Sequence, residues 1–153
     1  MTASIDRTSG DDGVLYAFGT ENAGLSLFVQ DDRLVFDYNA FGEHAIVVSE
    51  VAVPDGASVV GVGFRREATG AIAELSIDSQ PAGSIEIPFV MRVISSVGAS
   101  VGFDAGSAVS DRYNSPFAFT GSFHRLDVVV AGQRGADSAA NAAAERATEM
   151  GRQ

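Results

Sequence analysis

The sequence predicts an antiparallel β-sandwich of jelly-roll type, all-β apart from a short C-terminal helix. Short runs in which apolar and polar residues alternate at period two follow one another, as half-buried strands require. Turn residues separate them: Asp31-Asp32, Pro54-Asp55-Gly56 and the stretch Ser79–Gly83. The composition agrees, with 46% hydrophobic residues and 17 glycines but only four prolines in 153 residues. A chain of this length buries roughly 70% of its unfolded surface as one domain, so no metal or disulfide staple is needed.

The elements follow in order. Met1–Asp12 is polar and reads as a flexible leader, with the sandwich domain spanning 13–131. Leu25, Leu27 and Val29 alternate with polar or outward positions. The alternation resumes after Asp31-Asp32 with Leu34, Phe36 and Tyr38, which makes a hairpin. A strand is expected over Glu43–Val53, and Val60, Val62 and Phe64 mark the next. Ala73, Leu75 and Ile77 share a face that Ile85 and Ile87 continue after a turn. Val97, Ala99, Val101 and Phe103 give another strand. Asp104–Pro116 is then a loop long enough to be functional or interfacial. In the last strand Phe119, Gly121 and Phe123 have the opposite parity to Leu126, Val128 and Val130. A bulge near His124-Arg125 would turn both trios inward. Residues 132–153 read as a linker and helical tail, with a helix over Ala139–Met150 whose apolar stripe is almost all alanine and gains little by docking.

Charge and composition exclude several function classes. Twenty acids face ten basic residues, all of them arginine, and the net charge of −10 repels phosphate backbones, so nucleic acid is not an expected partner. No basic segment precedes an apolar run at the start, and no apolar run reaches the length of a membrane span, so neither secretion nor membrane insertion is expected. The chain has no cysteine, hence no disulfide, thiolate zinc site or cysteine nucleophile, and the cytoplasm is its expected location.

Three segments carry a family resemblance: Ser26–Asn39, Ile87–Ser96 and Ser110–Arg125, the last reading Ser-Asp-Arg-Tyr-Asn-Ser-Pro-Phe-Ala-Phe-Thr-Gly-Ser-Phe-His-Arg. Together they resemble the C-terminal β-rich region of actinobacterial arylsulfatases over about Gly13–Val130. The late Phe-x-Gly strand after a glycine-flanked strand is also similar to concanavalin A-like and laminin-G-like sandwiches. The resemblance implies a non-catalytic accessory domain that packs on a sulfatase-type catalytic domain or another subunit. Sulfate-ester hydrolysis in that family depends on a Cys- or Ser-x-Pro-x-Arg motif in a separate catalytic domain. Here Ser79-Gln80-Pro81-Ala82-Gly83 ends in glycine where arginine is needed, so no catalytic residue and no cofactor is carried over.

Several residues remain as candidates. Pairing Leu75 with Ile85 would set Glu74 beside Glu86, and adjacent carboxylates are the raw material of acid–base chemistry, although a solvated strand face explains them more simply. Asp104, Ser110 and Asp111 bracket the long loop. They lack the dense spacing of a calcium loop, so loop capping is the expectation and no metal is assigned. His44 and His124 have no partner at ligand spacing and read as ordinary strand residues. Tyr38, Phe41, Tyr113 and Phe117 lie in or beside predicted loops and offer a sugar-stacking platform, which makes carbohydrate binding the alternative function. The candidate ligand or interface residues are Phe41, Phe89, Met91, Tyr113, Phe117 and Phe119. An apolar patch formed by them would be covered by a partner, most simply a second copy in a twofold dimer.

Overall fold

The computed structural model describes residues 1–90 and 97–130. Met91 and the expected helix over Ala139–Met150 lie outside the described residues. Ten strands run in chain order: β1 Thr2–Arg7, β2 Gly13–Thr20, β3 Ala23–Gln30, β4 Arg33–Ala40, β5 Glu43–Ala52, β6 Gly56–Arg66, β7 Ala71–Ile77, β8 Gln80–Ile87, β9 Ser100–Val101 and β10 Ser122–Asp127. They form two five-stranded sheets, ordered β10-β1-β6-β7-β8 (sheet A) and β5-β4-β3-β2-β9 (sheet B). All pairings between these strands are antiparallel. The all-β sandwich is as the alternation predicts.

The core between the sheets collects the inward positions of both. Ile5, Val60, Val62, Ala73 and Leu75 come from sheet A, and Leu15, Leu27, Val29, Leu34 and Phe36 from sheet B. Two-residue turns with positive φ at both central positions close three hairpins: Asp31-Asp32 (53° and 61°), Phe41-Gly42 (57° and 84°) and Asp78-Ser79 (49° and 66°). These type I′ turns match the right-handed twist of their strands. Asp78-Ser79 therefore keeps the turn without a glycine.

Met1–Asp12, expected to be flexible, contains the first strand. Thr2–Arg7 is a strand inside sheet A, paired with Asp127–Ser122 on one side and with Gly61–Gly56 on the other. Ala3, Ile5 and Arg7 all point inward and are buried. Because the third inward residue is an arginine, the alternation does not read as apolar. Arg7 is nevertheless satisfied: Nη1 donates to the Val53 carbonyl (2.7 Å), Nε to the Asp11 carbonyl, and Nη2 to the Asp32 carboxylate. Asp32 also accepts from Ser9 and from the Gly10 N–H, so one charge pair ties β1 of sheet A to the β3–β4 turn of sheet B.

At the other flank of β1, Ser4 pairs with Arg125 and Ile5 with Phe123, so His124 is the extra residue of a bulge, as the parity change predicts. Phe119, Phe123 and Leu126 pack on the core, whereas Val128 and Val130 remain exposed. The expected strand over Val97–Phe103 shrinks to Ser100–Val101 on the edge of sheet B, and Phe103 is exposed.

The second face of sheet B is covered as well. Val14, Ala17, Phe28 and Val35 point away from the sandwich core and pack with Val109, Tyr113 and Phe117 of the long loop. Asp104 organises that loop: its Oδ2 accepts from the Tyr113 hydroxyl (2.6 Å) and the Val109 N–H (2.9 Å). The Tyr113 hydroxyl also lies 2.9 Å from Ser26 Oγ on β3, and Asn39 of β4 donates to the Val109 carbonyl. Phe28 meets the Tyr113 ring edge-on at 5.0 Å.

Three expected outcomes test these anchors. Arg7→Ala strands the buried Val53 carbonyl, and urea unfolding should show a loss of about 2–3 kcal/mol. The Asp32 carboxyl is held down at about 2, first by the Gly10 N–H and then by Arg7 and Ser9. The unfolded chain, with the ordinary value of 3.8, binds the proton more tightly, so this contribution is full above pH 3.8 and is lost as the pH falls through about 2. Acid unfolding of Asp32→Asn followed by circular dichroism should lack that part of the slope. Tyr113→Phe removes the hydroxyl from both Asp104 and Ser26 and should lower stability by about 1–2 kcal/mol, with the sandwich intact by the same spectra.

Candidate functional site

The β4–β5 hairpin brings together the features that the rest of the fold leaves unexplained. Phe41 occupies the first central position of its turn, at φ 57°, with 76% of its surface exposed. A bulky aromatic residue is strained there, and asparagine, aspartate or glycine is the usual occupant. Phe89 is the other strongly exposed phenylalanine, at 60%. Gly83 of β8 lies beside Val47 and Val48 of β5. Tyr38, opposite Ala45, packs against Phe64, which sits in line with Ala73 and Ile85. The strands β5 and β8 therefore run alongside in opposite senses. Phe89, just past the end of β8, emerges at the same end of the sandwich as the Phe41-Gly42 turn.

The other aromatic candidates do not join this rim. Tyr113 is buried and Phe117 half-buried, stacked on each other at 5.1 Å between ring centres inside the loop-covered cluster. Burial pushes the Tyr113 phenol far up, and its hydrogen bond to Asp104 adds to the effect. Tyr38 is buried in the sandwich core, and Phe119 packs against that core. The expected sugar platform of Tyr38, Phe41, Tyr113 and Phe117 is thus taken apart, because three of its members fill interiors. Likewise, of the candidate interface residues Phe41 and Phe89 are exposed, whereas Tyr113, Phe117 and Phe119 pack into the interior.

The carboxylate pair is also not formed. Leu75 pairs with Gly83 rather than Ile85, Glu74 faces Ser84, and Glu86 faces Ile72. The register is set by the two-residue Asp78-Ser79 turn, which pairs Ile77 with Gln80, and a bulge at the buried Ala82 shifts it by only one residue. Glu74 instead lines a shallow groove with Glu50, Ser76 and Ser84. His124 is an exposed residue on β10. The Ser79-Gln80-Pro81 segment forms the β7–β8 turn and the edge strand that leaves it.

His44 behaves differently from its expectation. It sits on β5 beside the β4–β5 turn, and its Nδ1 lies 2.8 and 3.0 Å from the two carboxylate oxygens of Asp37 on β4. Asp37 has no exposed surface, and burial raises its pKa while the Ser110 hydroxyl and His44 act against the rise. Asp111, from the long loop, completes the group: one ligand atom from each of Asp37, His44 and Asp111 lies within 4.8 Å of the others. Its neighbour Arg112 is braced, since Nε donates to Gln30 Oε1 (2.9 Å) and the Gln30 amide donates to the Arg112 carbonyl (3.0 Å). Asp104 and Ser110, expected to cap the loop, do so, and neither belongs to this group. Sequence spacing signals the neighbours Asp37 and His44 only once the β4–β5 register is known. Asp111 joins them through a fold contact that no local pattern encodes.

Among the described residues no helix is long and apolar enough to cross a membrane. No family model matches the chain. No curated protein matches it either, so the arylsulfatase resemblance gains no support from these comparisons. Among solved structures, domains LG4-5 of the mouse laminin α1 chain superpose with a TM-score of 0.52 at 20% identity, covering 80% of this chain and 32% of that one. The chain spans about a third of that laminin fragment. The likeness establishes the architecture, a laminin-G-like β-sandwich.

Proposed function

We propose that this chain is a non-catalytic interaction domain that docks on a protein partner through the rim formed by Phe41 and Phe89. One observation carries the reading: Phe41 is held at a left-handed backbone position and projected into water. Neither local conformation nor core packing explains an aromatic residue there. Strain retained at an exposed position points to a use outside the fold. Aromatic residues of this kind are also the side chains that anchor protein interfaces. The resemblance to the arylsulfatase C-terminal region supplies the partner class, a sulfatase-type catalytic domain. A second copy of the chain in symmetric contact is the other way to cover the same rim. Carbohydrate binding is the weaker reading, since Phe41 alone of its four aromatics stays accessible. An independent hydrolase has the least support, with Glu74 and Glu86 out of register.

Phe41→Asn separates docking from folding. Asparagine tolerates the left-handed turn, so the variant should gain up to about 1 kcal/mol in urea unfolding. Association should be lost, read by sedimentation for self-association and by co-purification with a co-expressed sulfatase-type catalytic domain. A wild-type chain that stays monomeric at high micromolar concentration and captures no such domain contradicts the reading. Association that survives Phe41→Asn contradicts the location.

A further inference from the structure

We infer that Asp37, His44 and Asp111 form a binding site for a divalent transition cation of the Zn²⁺ class, which staples the long loop to the β4–β5 hairpin. Two carboxylates and one imidazole converge within 4.8 Å. That set matches a borderline cation with mixed nitrogen and oxygen ligands, and it is too small and too nitrogen-rich for Ca²⁺, which takes six to eight oxygens.

The site is built before any ion arrives. Asp37 is fully buried, so it has no rotameric freedom to lose, and β-strand pairing fixes it diagonally across from His44, with Asn39 opposite His44 and Asp37 opposite Ile46. Asp111 is exposed, but Ser110 before it is hydrogen-bonded to Asp37 and Arg112 after it is clamped to Gln30. Asp37 is thus oriented by a hydrogen bond from behind, as ligands in metal sites are, and the backbone that carries Asp111 is anchored through its two neighbours. Charge points the same way. Two carboxylates share this corner of a chain whose net charge is −10, and among the described residues the hydrogen-bond partners of the buried one are Ser110 and His44. A dication neutralises both. On binding it replaces the proton shared between His44 Nδ1 and the Asp37 carboxylate, and that proton leaves to solvent. Three protein donors leave a coordination position open on the Asp111 side, where water or a donor from a docked molecule completes the shell.

The test uses the full chain without a polyhistidine tag, stripped with EDTA and titrated with Zn²⁺ by calorimetry, while the two histidine rings are followed by ¹H–¹⁵N NMR. One Zn²⁺ per chain is expected, with the His44 ring resonances shifting and those of His124 unchanged. Asp111→Asn, at an exposed position that does not disturb the core, should weaken binding by at least about tenfold, and His44→Ala should abolish it. Ca²⁺ should leave the His44 ring where it is. No binding at 100-fold molar excess overturns the inference, as does Zn²⁺ binding that shifts His124 instead or is indifferent to both variants. In those cases the Asp37–His44 contact is a structural hydrogen bond and nothing more.

Discussion

Asp104 accepts two hydrogen bonds at one carboxylate oxygen, from the Tyr113 hydroxyl and the Val109 N–H, and through them folds the 104–117 loop down on sheet B. Much of the molecule depends on this. A sheet at the outside of a sandwich ordinarily alternates apolar and polar residues, one face dry and one wet. Here Phe28 and Val35 occupy the outward face of β3 and β4 without exposure, because Val109, Tyr113 and Phe117 cover them. The loop acts as a third layer. It closes over a face that would otherwise present a sizeable apolar patch.

The same cover changes the chemistry of the polar residues beneath it. Ser26, Asp37 and Asn39 are all buried on that face, and each finds a partner in or near the loop: Ser26 with Tyr113, Asn39 with the Val109 carbonyl, Asp37 with Ser110 and His44. Buried polar groups require such partners, and these fix the loop in one position rather than merely tolerating it. Asp111 is held at the edge of the cover, next to the hairpin whose tip carries Phe41. The proposed docking rim and the proposed cation site are therefore neighbours on one hairpin. An ion at Asp37, His44 and Asp111 would stiffen the element that presents Phe41.

Much of the fold is legible in the sequence, and the failures have physical causes. The β3–β4 hairpin follows from clean alternation around Asp31-Asp32, and the bulge at His124 follows from a parity change that only one extra residue can reconcile. β1 escapes notice because Arg7 takes an inward position that pattern reading reserves for apolar side chains, and its partners, Asp32 and Val53, come from sheet B and the segment after β5. The Glu74 and Glu86 pairing fails by two residues, because the chain turns tightly at Asp78-Ser79 and not over Ser79–Gly83, and the bulge at Ala82 recovers only one residue of the difference. Of the candidate interface residues, Phe41 and Phe89 are exposed. Tyr113, Phe117 and Phe119 are aromatic for the sake of packing. A loop that serves as a core layer looks, in sequence, like any other loop rich in small and polar residues.

Amide hydrogen exchange tests this account most directly, because it asks whether the 104–117 segment belongs to the folded core. The N–H of Val109, donated to the buried Asp104 carboxylate, should exchange as slowly as the amides of β3 and β4, opening only with global unfolding. Exchange of Val109 at the rate of an open loop, while β3 and β4 stay protected, would contradict the account.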